Sequence, residues 1–351
     1  MFEWHPNRIF RYLDKFKVQM IYPRPNEVRY NTKNAVFPAM IELQLTTECN
    51  LNCTFCNSYD MRKKYSRLNV GTVLQFLHEL RNAGLTSITL EGGGDPSLHP
   101  DLFELVYGIN DLKLQCGIIT NGVKLLDENI CKYLDWIRVS LDAADEVTYK
   151  MVKGKPYFNS VISHIMEYSK YKNLVLGVSY IALNGVNVST KDITNLLVTL
   201  SGKIDYIQFK PDERASDFSY LRSLNKFKYP FFAKRHMNRD TKVYVIDCTT
   251  DGEVIYDAVC KSCYTGQLTS TITPNGDVLF CKRMRNPMKI GNIYHNNSNE
   301  IYLSKSKKEI LEWIHDENKF EELCTRPCRM KKYNYVLDTF LKDNDNTKFF
   351  L

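Results

Sequence analysis

An α/β protein with a parallel sheet, followed by a small β-rich appendage, is the fold class that this sequence predicts. Three observations predict it: six apolar strand-like runs between residues 40 and 210, amphipathic helical stretches between them, and a change of texture after residue 240. The runs are MIELQLT (40–46), SITLE (87–91), QCGIIT (115–120), WIRVSLD (136–142), LVLGVSYIAL (174–183) and KIDYIQF (203–209). They are too apolar to leave one face wet, which is the pattern of parallel strands covered by helices. VGTVLQFLHELRNAG and FNSVISHIMEYSKY carry apolar residues three and four apart, and a Gly closes the first.

Residues 211–240 lose this rhythm and read as a connecting stretch. From 242 onward KVYVIDC, EVIYDAV, LTSTITP and DVLFCKR are short strands split by Gly, Asp and Pro turns. The Asn-Gly of TPNGDV marks a tight hairpin. Helical NEIYLSKSKKEILEWIHD follows, then CTRPCRMKKYNYVLD. A boundary near residue 235 divides the chain into an N-terminal extension (1–37), an α/β domain (38–235), a cysteine-bearing domain (236–335) and a tail (336–351).

The 351 residues carry a net charge of +7 that is scattered rather than gathered. The densest patches, DMRKKYSR and RMKKY, read as solvated faces. Such an excess suits an anionic substrate or redox partner, and nucleic acid is not the expected partner. No run of eighteen apolar residues is present, and MFEWHPNRIFRYLDKF lacks the apolar centre of a secretory signal. A cytoplasmic protein without a membrane span is the expectation. Eight of the eleven cysteines fall into three clusters, Cys49/Cys53/Cys56, Cys260/Cys263/Cys281 and Cys324/Cys328, whose spacing points to metal ligation rather than disulfides. Cys116 and Cys131 sit in apolar periodic segments and read as core residues.

Cys49, Cys53 and Cys56 follow directly from a predicted strand, at the carboxyl end where α/β proteins build sites. Close thiolates bind zinc or iron–sulfur clusters. Structural zinc wants four ligands, and no fourth Cys or His lies nearby, whereas three thiolates on a four-iron cubane leave one iron open. This spacing, with Phe55 before the last cysteine, resembles the signature of radical S-adenosylmethionine (SAM) enzymes. LEGGGDP (90–96) resembles the glycine-rich motif of that family, although Asp95 stands where Glu is usual. The resemblance covers roughly residues 38 to 215 and implies a partial six-stranded (β/α) barrel. It implies a 4Fe–4S cluster on Cys49, Cys53 and Cys56, and SAM chelating the open iron and yielding a 5′-deoxyadenosyl radical. Carried over residue by residue, it implies SAM contacts from Phe55, Gly92, Gly93, Gly94, Asp95, Asn121 of ITNG, Ser140 of RVSLDAAD and Phe209 of QFKP. Thr120 and Asp142 read as structural.

Cys263, Gly276 and Cys281 resemble the first half of the auxiliary-cluster appendage called SPASM, or its shortened form, twitch. The expected ligands of an auxiliary 4Fe–4S cluster are Cys263, Cys281, Cys324 and Cys328, with Cys260 either spare or an alternative ligand. On spacing alone a four-cysteine zinc knuckle is an equal reading. The resemblance implies an electron donor such as flavodoxin or ferredoxin. It also implies hydrogen abstraction from a small polar substrate, a sugar, aminocyclitol or nucleotide-sugar, ending in dehydrogenation or epimerisation. The stretch before Phe37 is too short for a leader-peptide-binding domain, yet epimerisation or cross-linking of a ribosomally made peptide stays open, as does a non-catalytic iron–sulfur or zinc scaffold. The sequence names no catalytic base or hydrogen-atom donor.

Overall fold

The computed structural model describes residues 37–212, 214, 220, 221, 223, 224, 241–245, 263, 265–282, 288–316 and 319. In chain order the first elements are β1 (Met40–Leu43), α1 (Val70–Asn82), β2 (Ser87–Leu90), α2 (Leu102–Asp111), β3 (Gln115–Thr120) and α3 (Glu128–Cys131). Next come β4 (Trp136–Ser140), α4 (Glu146–Lys153), α5 (Phe158–Tyr168), β5 (Val175–Ala182), α6 (Thr190–Leu200), β6 (Tyr206–Pro211) and β7 (Lys242–Val245). The last are α7 (Thr265–Leu268), β8 (Thr269–Ile272), β9 (Asp277–Leu279), β10 (Lys289–Asn292), α8 (Ser298–Tyr302) and α9 (Lys305–His315).

The chain divides into two compact units. One takes the described residues within Leu43–Val70 and Ile88–Thr249. Here β2 to β7 lie side by side in sequence order, and the pairs from β3 to β7 are parallel. The core is made where alternate strand residues meet the apolar stripes of the helices: Ile137 and Val139, Leu176 and Val178, and Ile207 are fully buried, as are Val161 and Ile165 of α5 and Ile193 of α6. Lys242–Val245, grouped by texture with the C-terminal strands, instead pairs with β6 in the parallel register Tyr206↔Lys242 to Phe209↔Val245.

The other unit takes the described residues within Met1–Glu42, Gly71–Ser87 and Thr250–Leu351, with strand order β10-β9-β8-β1. The expected hairpin joins β8 and β9 antiparallel. Gly276 makes its turn: at φ +85° an added Cβ would come within 2.5 Å of the Tyr294 ring, so only glycine fits. NEIYLSKSKKEILEWIHD breaks into α8 and α9 rather than forming one helix, because Ser304, in extended conformation, accepts the Lys307 N–H at 3.1 Å and starts a new helix. The run EVIYDAV and most of 211–240 lie outside the described residues. Among the described residues no helix is long and apolar enough to cross a membrane.

Candidate functional site

The three-cysteine loop leaves β1 along a pinned stem. Leu68 N–H donates to the Leu45 carbonyl and Thr47 N–H to the Ser66 carbonyl, each at 2.9 Å, and Thr46 bridges both Arg67 and Gly93. Beyond the stem the loop is held by a helix end. Asn52 N–H donates to the Lys153 carbonyl and Thr54 N–H to the Val152 carbonyl, both at 3.0 Å. These are two of the carbonyls that the last turn of α4 leaves without a partner, so helix and loop satisfy each other on both sides of Cys53.

Cys49, Cys53 and Cys56 are all half-buried. Burial raises the Cys49 thiol above its ordinary range and pushes the Cys53 thiol up to about 11. Metal ligation needs thiolates, so positive groups near the sulfurs matter. Each thiol has an N–H donor or a cation beside it. Asn121 Nδ2 donates to Cys49 Sγ at 3.7 Å and Arg62 Nη1 to Cys56 Sγ at 3.9 Å. The Lys153 ammonium opposes the effect of burial at Cys53. Arg62 also donates through Nη2 to the Leu51 carbonyl at 2.7 Å, and Arg214 Nη1 to the Thr54 carbonyl at 2.9 Å.

The glycine loop crosses this stem at van der Waals limit. Gly94 N–H donates to the Thr46 carbonyl at 2.6 Å, and a Cβ on Gly94 would sit 1.7 Å from the Glu48 carbonyl oxygen. Gly92 and Gly93 have φ of +71° and +67°. The bare backbone at Gly94 thus meets the cysteine loop itself.

Asp95 has a different occupation from the cofactor contact expected of it. It is 3% exposed, and its carboxylate accepts from Ser97 N (3.0 Å), Ser97 Oγ (2.5 Å), Thr120 Oγ1 (2.9 Å) and Asn121 N (2.6 Å). It caps the short 3-10 helix Pro96–Leu98 and ties the glycine loop to the end of β3. Asn121, so held, also donates to Asn50 Oδ1 at 2.7 Å. Ser140 Oγ donates to Asp142 Oδ2 at 2.7 Å. Phe55 is buried, its ring 5.4 Å from Lys153 Nζ. These residues come together around the cysteine loop.

Phe209 does not join them. Side chains alternate along β6, so Phe209 shares the face of Ile207 and is fully buried against Tyr180, with ring centroids 5.1 Å apart. The opposite face of the sheet carries a polar row, Ser140, Ser179 and Gln208, in register across β4, β5 and β6. Thr120 and Asp142 are buried, in keeping with their structural reading. Arg62 and Lys153 were missed. Arg62 sits in a charge run that looks solvated, and Lys153 is one lysine at the end of an amphipathic helix.

Of the second cysteine set, Cys263 and Cys281 are half-buried, and Cys281 follows β9 closely. Cys260, Cys324 and Cys328 lie outside the described residues. Among the described residues no three His, Cys, Asp or Glu side chains are placed to share a single metal ion. A cubane asks for no such convergence, because each thiolate goes to its own iron. Three thiols on one loop, each with an N–H donor or cation beside it, are a donor set that fits such a cluster.

Comparison with known proteins agrees with this geometry. Residues 43–197 match the radical SAM superfamily, and residues 260–329 match SPASM, an iron–sulfur cluster-binding domain. The chain thus carries a radical SAM domain and a SPASM domain. It therefore binds a 4Fe–4S cluster and SAM in the first domain and auxiliary iron–sulfur in the second. A probable GTP 3′,8-cyclase of Pyrococcus abyssi is 25% identical over 239 residues, 63% of this chain and 76% of that protein. An S-adenosylmethionine-dependent nucleotide dehydratase of Lacinutrix mariniflava is 31% identical over 173 residues, 43% of this chain and 36% of the relative. Three of the first four curated relatives are thus matched over less than two thirds of their own length. The crystal structure of Streptococcus suis SuiB bound to S-adenosylmethionine shares the fold, at 18% identity and TM-score 0.62, over 81% of this chain and 70% of that one.

Proposed function

We propose that this radical SAM enzyme abstracts a hydrogen atom from a C–H bond of a small polar, carbohydrate-containing substrate, a nucleotide or a sugar, and that dehydrogenation or epimerisation follows. The observation that carries the reading is the loop of three half-buried thiols, each supplied with its own N–H or cationic neighbour. In this reading Cys49, Cys53 and Cys56 hold the SAM-binding cluster, and Cys263, Cys281, Cys324 and Cys328 hold the auxiliary one. The bound cluster and SAM supply a hydrogen-abstracting radical; binding, orientation and exclusion of water fall to the protein. Gly92, Gly93, Asn121, Ser140 and Phe55 line the cofactor's place. Gly94 and Asp95 act behind them, holding the glycine loop against the stem and Asn121 beside Cys49.

Two facts support a nucleotide or sugar. The relatives named above are a GTP cyclase and a nucleotide dehydratase. The row Ser140, Ser179 and Gln208 offers polar groups in register across three parallel strands, and Gln208 Oε1 is buried without a hydrogen-bond partner among the described residues.

The test is a screen of deuterated nucleotides, sugars and peptides against the anaerobically reconstituted, dithionite-reduced enzyme, following label into 5′-deoxyadenosine. Transfer from a ribose or sugar carbon is the expected outcome. Transfer from a peptide alone would move the substrate class, and no 5′-deoxyadenosine with any substrate would favour a scaffold.

A further inference from the structure

Next to Cys53 lies a buried ion pair that the established chemistry leaves without a task. Lys153 is 1% exposed and Asp142 0%. Lys153 Nζ donates to Asp142 Oδ2 and, at 2.8 Å, to the Ser140 carbonyl. Burying an ion pair costs several kcal/mol of desolvation per charge, and Lys153 keeps its charge because the Asp142 carboxylate and the Cys53 sulfur outweigh that burial.

The pair is held in place from every side. Asp142 has φ +58°, a left-handed conformation that costs about 1 kcal/mol or more in a non-glycine residue. Its Oδ1 accepts the Ile181 N–H at 2.6 Å, and its carbonyl accepts Asn187 Nδ2 at 2.8 Å. Lys153 is fixed by its own backbone, whose carbonyl receives the Asn52 N–H one residue before Cys53. The same side chain lies over the Phe55 ring. Helix end, cysteine loop and ammonium are thus tied together. Asn52, bonded to the Lys153 carbonyl, and Phe55, beneath the Lys153 ammonium, stand on either side of Cys53 in the chain. The Tyr149 hydroxyl, buried without a hydrogen-bond partner among the described residues, borders the same two side chains.

We infer that Lys153, oriented by Asp142, sets the reduction potential of the cluster held by Cys53, its buried positive charge stabilising the reduced form. This rests on the proposed assignment of Cys49, Cys53 and Cys56 as cluster ligands. The reduced cluster is one unit more negative than the oxidised one, so a fixed cation in a low-dielectric surround favours uptake of the electron from the external donor. Lys153 is a positioning and potential-setting residue, not one that touches substrate.

The experiment is an EPR-monitored redox titration of the full-length, reconstituted enzyme, read at the signal that changes when SAM is added, with iron content measured alongside. At the potential where half the wild-type cluster is reduced, Lys153→Met should lower the ratio of reduced to oxidised cluster about tenfold. Lys153→Arg should restore most of that ratio. Asp142→Asn, whose amide tolerates the left-handed conformation, removes the carboxylate that holds Lys153 charged and in place, and should lower the ratio in the same direction as Lys153→Met. Should Lys153→Met fail to fold, the sign of the Asp142→Asn shift decides alone. A full-iron Lys153→Met enzyme with the wild-type ratio, or an Asp142→Asn shift to higher ratio, overturns the inference and leaves the cysteine assignment standing. A wild-type enzyme with no SAM-sensitive signal overturns both.

Discussion

Alanine at Cys49, Cys53 and Cys56 together should bring 5′-deoxyadenosine formation down to background while the protein still folds. The fold is expected to survive because the loop is carried by backbone contacts rather than by its thiols. Asn52 and Thr54 donate to the end of α4, and Thr47, Leu68 and Gly94 pin the stem. The half-buried thiols give up little apolar contact on truncation. Iron should fall from about eight to about four per chain, since two four-iron clusters become one. The auxiliary cluster should keep its spectrum, because Cys263 and Cys281 belong to the other compact unit. Iron and sulfide analysis with circular dichroism checks this. Unchanged iron would place the cluster elsewhere, and total loss would mean that the two sites are not independent.

Asp95→Ala should be the most destabilising change near the site that leaves every cysteine in place. Among the described residues the carboxylate is the acceptor for Ser97 Oγ and the Asn121 N–H, and it also takes Ser97 N–H and Thr120 Oγ1. Removing it strands these buried donors, and the cost should be about 3–5 kcal/mol. The melting temperature should drop by about 10 °C. Asp95→Asn keeps one oxygen and should lose about half as much. SAM affinity should weaken in step with stability, since Asn121 loses its anchor. If Asp95 acted instead through its charge on the SAM ammonium, Asp95→Asn would cut SAM affinity and leave the melting temperature unchanged. Differential scanning calorimetry together with SAM titration separates the two.

The parts of this architecture that showed in the sequence are those written in contiguous residues. QCGIIT coincides with β3, and the other apolar runs contain or overlap their strands, because burial on both faces leaves a continuous apolar record. KIDYIQF was displaced: β6 starts at Tyr206 and runs through Pro211, since Lys203 and Ile204 belong to the turn that receives Thr241. The cysteine triplet was legible for the same reason as β3, its three thiols lying within eight residues.

What escaped is what the fold assembles at a distance. Asp142 and Lys153 are eleven residues apart, and neither signals the other until β4 and α4 bring them together under Cys53. Asp95 looked like a cofactor ligand because its motif position suggested one. Only the convergence of Ser97, Thr120 and Asn121 shows its carboxylate already engaged. Phe209 lies on the Ile207 face of β6, and Gln208 beside it faces the other way, a difference of one residue that the motif position alone does not show.

The central claim is that Cys49, Cys53 and Cys56 leave one iron for SAM to occupy. Electron–nuclear double resonance on the reduced enzyme with SAM labelled at its amino nitrogen measures this directly. The label should couple to the cluster in the wild type, and the coupling should vanish in the Cys49/Cys53/Cys56 variant. A wild-type cluster that ignores labelled SAM, or that keeps the coupling without these three cysteines, would contradict it.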